Sequence, residues 1–331
     1  MIDDVRIAFT ALRSRERPSG SDLTVLPITA VDGIHVGLDE QSRQHLLLAC
    51  PDGAAPETDI ATLGVSTRNL MINGVTSDLA DIVCLFPSLA EVFDYFVVAV
   101  IERVQRTGES PAVAVDAVLL EWRQFLTASL SPPSHDKLAT LIGELLVVVD
   151  TVDVAGASAF DSWVGPSGAR HDFRHRATAI EVKTTKSHTG YRITVHGEDQ
   201  LMPPNAGQLF LHLVRLEYVP GSGHSVASLA NYIIYKGISA QKVFKALSDS
   251  KISATDLTAT SDVTFEVRER VTLPVDDRLP RIVPSSFVGR RRPLGVLDLS
   301  YVVDLEGQLV HALTANAYSE LLATMGSDPA T

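Results

Sequence analysis

The sequence is poor in cysteine and has no long apolar run. Its only two cysteines among 331 residues, Cys50 and Cys84, both stand beside aliphatic residues. This pattern favours reduced core thiols over a disulfide framework or a metal cluster. The most apolar segment, residues 138–154, is interrupted by acidic residues and is too short to span a bilayer. Because Asp3 and Asp4 stand where a signal peptide would be basic and apolar, we expect a cytoplasmic protein without a membrane segment.

Motifs for several common kinds of chemistry are also missing. No glycine-rich loop ends in Gly-Lys-Ser or Gly-Lys-Thr, so we do not expect ATP binding through a P-loop. If the system needs nucleotide hydrolysis, we expect another subunit to supply it. Residues 221–224, Gly-Ser-Gly-His, lack the spacing of a nucleophile elbow and predict a turn. His171 and His175 are four apart, but a strand-like run follows them and no third ligand lies at zinc spacing. Zinc and serine-hydrolase chemistry are therefore disfavoured.

Positive charge is scarce overall but concentrated in one segment. The net charge of −12 argues against a protein that coats nucleic acid non-specifically. Residues 165–192, however, contain six Lys or Arg against two acidic residues, a balance of +4 that leaves −16 for the rest. This basic segment suits a phosphate backbone, and the alternative is a solvated basic loop. The candidate DNA-contacting residues are Arg170, His171, Arg174 and Lys186.

The pattern that points to chemistry lies within this basic segment. Asp172 is followed nine residues later by Glu181-Val182-Lys183. On a strand, Glu181 and Lys183 project to the same face while Val182 projects into the core, so an Asp172 opposite them on a hairpin would join them. Two carboxylates about 4 Å apart repel by about 4 kcal/mol at an effective dielectric near 20. A hard divalent cation offsets this repulsion, and Mg²⁺ prefers one or two carboxylates, waters and substrate phosphate. The pattern predicts phosphodiester hydrolysis, with Lys183 beside the attacking water or the scissile phosphate.

Several short blocks occur in a fixed order around this pattern. They are Gly-Glu-Leu-Leu at 143–146, Trp-Val-Gly-Pro at 163–166, His-Asp-Phe at 171–173, Glu-Val-Lys-Thr-Thr at 181–185 and Gln-Leu at 200–201. Together they resemble the bacterial PD-(D/E)XK motif proteins of the restriction-endonuclease-like superfamily. The blocks cover residues 140–201, and the elements on either side are also similar. His171 replaces the proline of the namesake motif, at a position that varies in the superfamily.

The resemblance implies an α/β (α+β) fold with a restriction-endonuclease-like mixed-sheet core flanked by helices. It implies a Mg²⁺-dependent endonuclease, with Mn²⁺ as a substitute, that hydrolyses DNA in a bacterial restriction or anti-phage defence system beside ATPase and methyltransferase partners. The implied catalytic residues are Asp172, Glu181, Lys183, Glu144 and Gln200, and the implied metal ligands are Asp172, Glu181 and the Val182 carbonyl. For Glu144 a surface salt bridge, and for Gln200 a capping or turn role, are the alternatives.

The chain divides at the consecutive prolines 132 and 133, which end any preceding helix. We expect an N-terminal α+β recognition or scaffold region at 1–130, a nuclease core at 131–235 and a C-terminal α/β extension at 236–331. The N-terminal region has strand-like runs at 23–28, 35–38, 45–49, 69–72 and 82–85, then helices at 89–105 and 113–128.

Beyond the boundary, Ser134 or the next two residues can cap a helix with an apolar stripe from Leu138 to Val152. Glu144 lies at the edge of that stripe, where a half-buried carboxylate needs a partner. Further strands are expected at 191–196, 209–218, 263–271 and 295–304, and helices at 225–235 and 240–248.

Two other readings of the chain stay open at this stage. A non-catalytic DNA-binding or assembly subunit could retain the fold, and a phosphoesterase acting on RNA could use the same metal site. Because double-strand cleavage by a single-site nuclease needs two copies, a homodimer is plausible. Arg290-Arg291-Arg292 forms a basic cluster in a loop, which either contacts phosphate or is solvated or partner-bound.

Overall fold

The computed structural model describes residues 1–15, 22–50, 58, 60–72, 75–127, 129 and 131–326. These residues form two compact units. Unit 1 comprises residues 1–131 and 240–258, and unit 2 comprises residues 132–239 and 259–331. The segment expected as a C-terminal extension is thus shared between them. Ala128 and Leu130, which belong to the predicted helix end and boundary, lie outside the described residues.

Unit 1 contains a five-stranded antiparallel sheet in the order β1-β2-β3-β5-β4. Its strands are β1 (Leu23–Pro27), β2 (Ile34–Asp39), β3 (Gln44–Ala49), β4 (Leu63–Ile72) and β5 (Val75–Cys84). Its helices are α1 (Ile2–Ser14), α2 (Ala90–Thr107), α3 (Pro111–Leu126), α6 (Ala240–Asp249) and α7 (Ala254–Ala259). Both cysteines are buried here, as predicted.

An aromatic cluster joins the late helix α6 to α2 and α3. The rings of Phe125 and Phe244 stack at 4.6 Å between centroids, and Trp122 meets Phe244 edge-on at 5.2 Å. Phe96 adds a further edge contact to Trp122. Large aromatic side chains contribute much of a core's apolar area, so this cluster explains why residues 240–258 fold with the N-terminal region.

Unit 2 is built on a four-stranded sheet in the order β10-β9-β7-β6. The β7–β9 pair is parallel, while β6–β7 and β9–β10 are antiparallel, so the predicted mixed sheet is confirmed. Strands β8 and β11 form a separate antiparallel pair. The strands are β6 (Phe173–His175), β7 (Thr178–Thr185), β8 (Arg192–His196), β9 (Gln208–Tyr218), β10 (Phe265–Pro274) and β11 (Ser300–Asp304). The helices are α4 (His135–Ala155), α5 (Val226–Tyr235) and α8 (Ala315–Ala323).

Helix α4 lies against β7 and is held at a close approach. Its first turn is capped by Ser134, whose hydroxyl accepts from the backbone N–H of Lys137 at 3.2 Å. At Gly143 the helix comes so near the strand that a Cβ there would lie 2.2 Å from Cγ2 of Thr184 and 3.6 Å from Cγ1 of Val182. Val182 therefore faces α4, as the strand period predicts, and Glu181 and Lys183 project to the opposite face.

Other elements depart from the sequence expectations. Helices α1, α7 and α8 are present although no periodicity predicted them, since they are short or lie near chain ends. The strand expected at 295–304 is only the five residues of β11, because residues 284–299 form an irregular loop with two short 3₁₀ turns. No helix in the described parts of the chain combines the length and the apolar character needed to cross a membrane.

Candidate active site

The Asp and Glu-x-Lys residues come together at the beginning of the β6–β7 hairpin. In the antiparallel register Phe173 pairs with Ile180, so Asp172, one residue earlier, stands opposite Glu181. Lys183 Nζ lies 3.0 Å from Glu181 Oε1, and this lysine side chain is only 15% exposed. Glu181 is buried at 2% exposure. The convergence that the strand period predicts is therefore present.

Backbone hydrogen bonds hold Asp172 in place from two sides. Its Oδ2 accepts from the backbone N–H of Val182 at 2.7 Å. Its carbonyl oxygen accepts from the N–H groups of Val164 and Gly165 at 2.8 and 2.9 Å. Since the N–H and C=O of one strand residue point to the same side, the Val182 carbonyl also faces the side on which Asp172 lies. Both predicted carboxylate ligands and the predicted carbonyl ligand thus border the same space.

A third carboxylate reaches this space from α4. Glu144 Oε2 accepts from the indole N–H of Trp163 at 2.9 Å. A Cβ on Gly165 would lie 3.2 Å from both Glu144 Oε2 and Asp172 Oδ1, which places the two carboxylates on either side of this glycine. Glu144 therefore lies in the site rather than in a surface salt bridge, and Gly165 leaves room between the carboxyl groups.

The three carboxyl groups bind protons more tightly than usual. Burial, with the charge of Asp172 next in size, raises the pKa of both Glu144 and Glu181 to about 8. Burial also raises the pKa of Asp172, against the opposing effects of the Val182 N–H and the Lys183 ammonium. Like charges in a region of low dielectric disfavour simultaneous ionisation. One lysine is too little positive charge for three carboxylates.

The charge and the open hydrogen-bonding capacity of the site fit a divalent cation. Three ionised carboxylates and one ammonium leave a formal charge of −2. Glu181 Oε2 is buried and has no hydrogen-bond partner among the described residues. No group of three or more His, Cys, Asp and Glu side chains in the described ranges is arranged to enclose a metal by itself. A Mg²⁺ site does not require one, because Mg²⁺ keeps several waters and substrate oxygens as ligands.

The remaining predicted residues lie around the site in different environments. Gln200 is in the turn between β8 and β9, where its Oε1 accepts from the His196 N–H at 2.9 Å. The structure does not show its amide among the carboxylates. Arg170 and Arg174 are exposed. Lys186 is 45% exposed and forms an ion pair with Asp136.

His171 differs from the other predicted DNA-contacting residues because it is buried, with only 2% of its area exposed. Burial, then the charge of Arg170, lowers the pKa of its imidazole to about 4. A neutral, buried imidazole is poorly suited to contact a phosphate. The burial of His171 could have been predicted from the strand period, because a residue next to Asp172 projects to the opposite face.

Two residues with clear roles here were not predicted as site residues. Trp163 donates to Glu144, and Gly165 donates its N–H to Asp172 while leaving space between two carboxylates. Both belong to the Trp-Val-Gly-Pro block, which marks this segment in the sequence but does not reveal the contacts of either residue. Their contacts depend on how the segment after α4 folds back, and neither period nor spacing encodes that.

A mixed sheet with an Asp just before one strand and Glu-x-Lys on the next, and with a glutamate from the preceding helix, is the arrangement of the PD-(D/E)XK class of proteins. The chain belongs to the family DUF4420, described as "Putative PD-(D/E)XK family member", whose model matches residues 6–306. Membership points to a nuclease, and nucleases of this class generally use divalent metal ions. No significant match was found among curated proteins or among solved structures.

Proposed function

We propose that this protein is a Mg²⁺-dependent endonuclease that hydrolyses DNA phosphodiester bonds, with Mn²⁺ able to replace Mg²⁺. The observation that carries the proposal is the buried cluster of Asp172, Glu181 and Glu144 around a single lysine, Lys183. The raised pKa of these carboxyl groups supports it, because such a cluster is unfavourable when ionised unless a cation joins it.

In this proposal Asp172, Glu181 and the carbonyl of Val182 hold the metal ion. When bound, the ion supplies an activated water and polarises the phosphoryl oxygen. The Val182 N–H fixes the orientation of Asp172, and the indole of Trp163 fixes that of Glu144. Each carboxyl group must lose its proton before it can bind metal, so metal affinity should rise with pH up to about 8.

Lys183 is proposed to stabilise negative charge on the reacting phosphate and to orient the attacking water. Its ammonium is 3.0 Å from Glu181 Oε1 and largely shielded from solvent, so its charge acts with little screening. Gln200 is proposed to orient substrate from the turn between β8 and β9. Arg170, Arg174 and Lys186 are proposed to contact the DNA backbone, with His171 supporting the site from beneath.

The biological setting that we propose is restriction or anti-phage defence in the cytoplasm. The resemblance to the bacterial PD-(D/E)XK motif proteins supports this setting, and ATPase and methyltransferase proteins are its proposed partners. Two copies of the chain would supply one site for each DNA strand. The net charge of −12, set against the basic segment at 165–192, is compatible with protein contacts away from the DNA.

Cleavage of supercoiled plasmid by the purified full-length protein tests the proposal. Wild type is compared with Asp172→Ala and Lys183→Ala in buffers that contain Mg²⁺, Mn²⁺ or EDTA. Lys245→Ala is the matched control, because Lys245 is 71% exposed and forms a local ion pair in unit 1. We expect nicked or linear DNA from wild type and Lys245→Ala with metal, and none from the two site variants or in EDTA.

The alternative outcomes separate the competing functions. Equal cleavage by wild type and Lys183→Ala would show that the activity arises elsewhere and would reject the proposed site. DNA binding without cleavage in every metal, unchanged by either site variant, would identify a non-catalytic binding or assembly subunit. Cleavage of RNA but not of DNA, lost in the same variants, would retain the site and correct the substrate.

A further inference from the structure

An irregular loop between β10 and β11 presents apolar side chains to solvent. We call residues 284–299 the basic-apolar loop. Val288, Leu294 and Leu297 have relative exposures of 102%, 105% and 93%, so almost none of their surface is covered. Three large apolar side chains left uncovered within one loop offer apolar area to a partner.

Two of the three arginines in the basic-apolar loop are available for a partner. Arg292 is used within the fold: its Nε lies 3.1 Å from Glu198 Oε2, and its Nη1 donates to the Leu297 carbonyl at 2.9 Å. Arg290 and Arg291 are exposed, and the guanidinium group of neither forms an ion pair or hydrogen bond with any residue that the structure describes.

The backbone of the basic-apolar loop turns sharply at the first of these arginines. Gly289 and Arg290 have φ values of +71° and +55°, a left-handed conformation that a non-glycine residue adopts at a cost. Such conformations concentrate where function requires a particular projection of the chain. Arg292 binds Glu198 and the Leu297 carbonyl, and these bonds hold the loop next to the two unpaired arginines in one position.

The basic-apolar loop is attached to the part of unit 2 that adjoins the carboxylate cluster. The Gly197 N–H donates to the Leu299 carbonyl at 2.7 Å, next to the ion pair of Arg292 with Glu198. The same turn places the backbone at Gln200 within hydrogen-bonding reach of His171, which directly precedes Asp172. The basic-apolar loop is therefore joined, through the turn at 197–200, to the residue that precedes Asp172.

We propose that the basic-apolar loop contacts duplex DNA beside the active site. Arg290 and Arg291 neutralise backbone phosphates, and Leu294, with its exposed apolar neighbours, packs into the minor groove as a wedge. DNA suits both features of the loop, because its phosphates attract arginines and its base steps accept apolar wedges. The inference rests on the proposed function, and it assigns DNA-positioning residues outside the basic segment at 165–192.

Binding of a short fluorescein-labelled DNA duplex by the full-length protein, followed by anisotropy, tests this inference. A Glu181→Gln background in Mg²⁺ prevents cleavage during the titration. The loop variant is Arg290→Ala with Arg291→Ala, and the matched control is Arg268→Ala with Arg278→Ala. The control removes equal charge from exposed arginines that already pair with carboxylates, those of Glu217 and Asp276.

We expect the loop variant to lower the slope of log K against log salt concentration by about 1.8, since each phosphate contact contributes about 0.9. The control variant should leave the slope unchanged. Leu294→Ser should weaken binding by about tenfold without changing the slope, because burial of an apolar side chain is insensitive to salt. Its exposure predicts an unchanged thermal unfolding midpoint, which excludes misfolding as the cause.

Equal slope changes in the loop and control variants would overturn the inference, because the effect would then depend only on the net charge of the protein and not on the position of the arginines. Parent-like binding by the loop variant would also overturn it while leaving the proposed nuclease function intact. If the parent protein bound no duplex at all, both the loop inference and the proposed nuclease function would be in question. The plasmid cleavage assay would then show whether the nuclease function also fails. If the loop binds a protein partner instead of DNA, the loop variant should titrate DNA as the parent does, and this result would also overturn the inference.

Discussion

Gly143→Ala tests the close approach of α4 to the strand that carries the site. The new Cβ would lie 2.2 Å from Thr184 Cγ2, whereas unstrained carbon atoms sit about 3.5–4.0 Å apart. Overpacking of this kind costs about 1–3 kcal/mol. The exchange of Gly for Ala in a helix interior offsets about 1 kcal/mol of that cost. Because 2.2 Å is far inside that contact distance, we take the upper part of this range, about 2–3 kcal/mol, and expect a net destabilisation of about 1–2 kcal/mol.

The second change in this experiment, Thr184→Ser, removes the methyl group that clashes. Alone it should cost about 0.8 kcal/mol, the value of one buried methyl group. If the two changes were independent, the double variant would lose about 2–3 kcal/mol, the sum of both effects. Relief of the clash predicts instead that the double variant is no less stable than Thr184→Ser. Because Glu144 follows Gly143, we also expect cleavage to fall in Gly143→Ala and to recover in the double variant.

Equilibrium urea unfolding measures these free energies. The chain has only two tryptophans, so Trp163 fluorescence in a Trp122→Phe background follows unit 2 selectively. Additive losses in the double variant, or a neutral Gly143→Ala, would refute the packing argument. The helix would then tolerate a side chain at position 143, and the placement of Glu144 would not depend on glycine there.

Three further predictions concern individual contacts. Trp163→Phe removes the donor that lowers the pKa of Glu144, so the acidic limb of the pH–rate profile should move to higher pH; an unmoved limb would contradict this. In Gly165→Ala the new Cβ would lie 3.2 Å from a carboxylate oxygen of both Asp172 and Glu144, so Mn²⁺ binding should weaken with little loss of stability. Gly307→Ala, where a Cβ has no neighbour within 4 Å, should leave Mn²⁺ binding unchanged. Burial raises the pKa of Asp94 from 3.8 to about 6, so its stabilising contribution is present below pH 3.8 and is lost as the pH rises through 6. Asp94→Asn should abolish this dependence in urea titrations across that range, and parallel profiles would refute it.

The arrangement of the central residues could be predicted because it depends on local rules. The two-residue period of a strand places Glu181 and Lys183 together, and a tight hairpin brings Asp172 opposite them. The apolar stripe of α4 and its Ser134 cap likewise depend on neighbours in sequence. For these elements, spacing alone determined which side chains share a face.

Other features depend on contacts between distant segments, and no local rule encodes them. The indole of Trp163 meets Glu144 because the chain after α4 folds back onto the helix. Phe244 joins Trp122 and Phe125 across more than a hundred residues, which places α6 with unit 1. Arg292 could not be separated from Arg290 without knowing that Glu198 lies beside it.

Metal binding at neutral pH shows whether the carboxylate cluster of Asp172 and Glu181 holds a divalent cation. Calorimetric titration of Mn²⁺ into the full-length protein, in two buffers of different ionisation enthalpy, measures affinity and proton release together. Because the pKa of Glu181 and of Glu144 is about 8, we expect binding with release of protons, and loss of binding in Glu181→Gln and Asp172→Asn. Equal binding by wild type and both variants, or binding without proton release, would contradict this expectation.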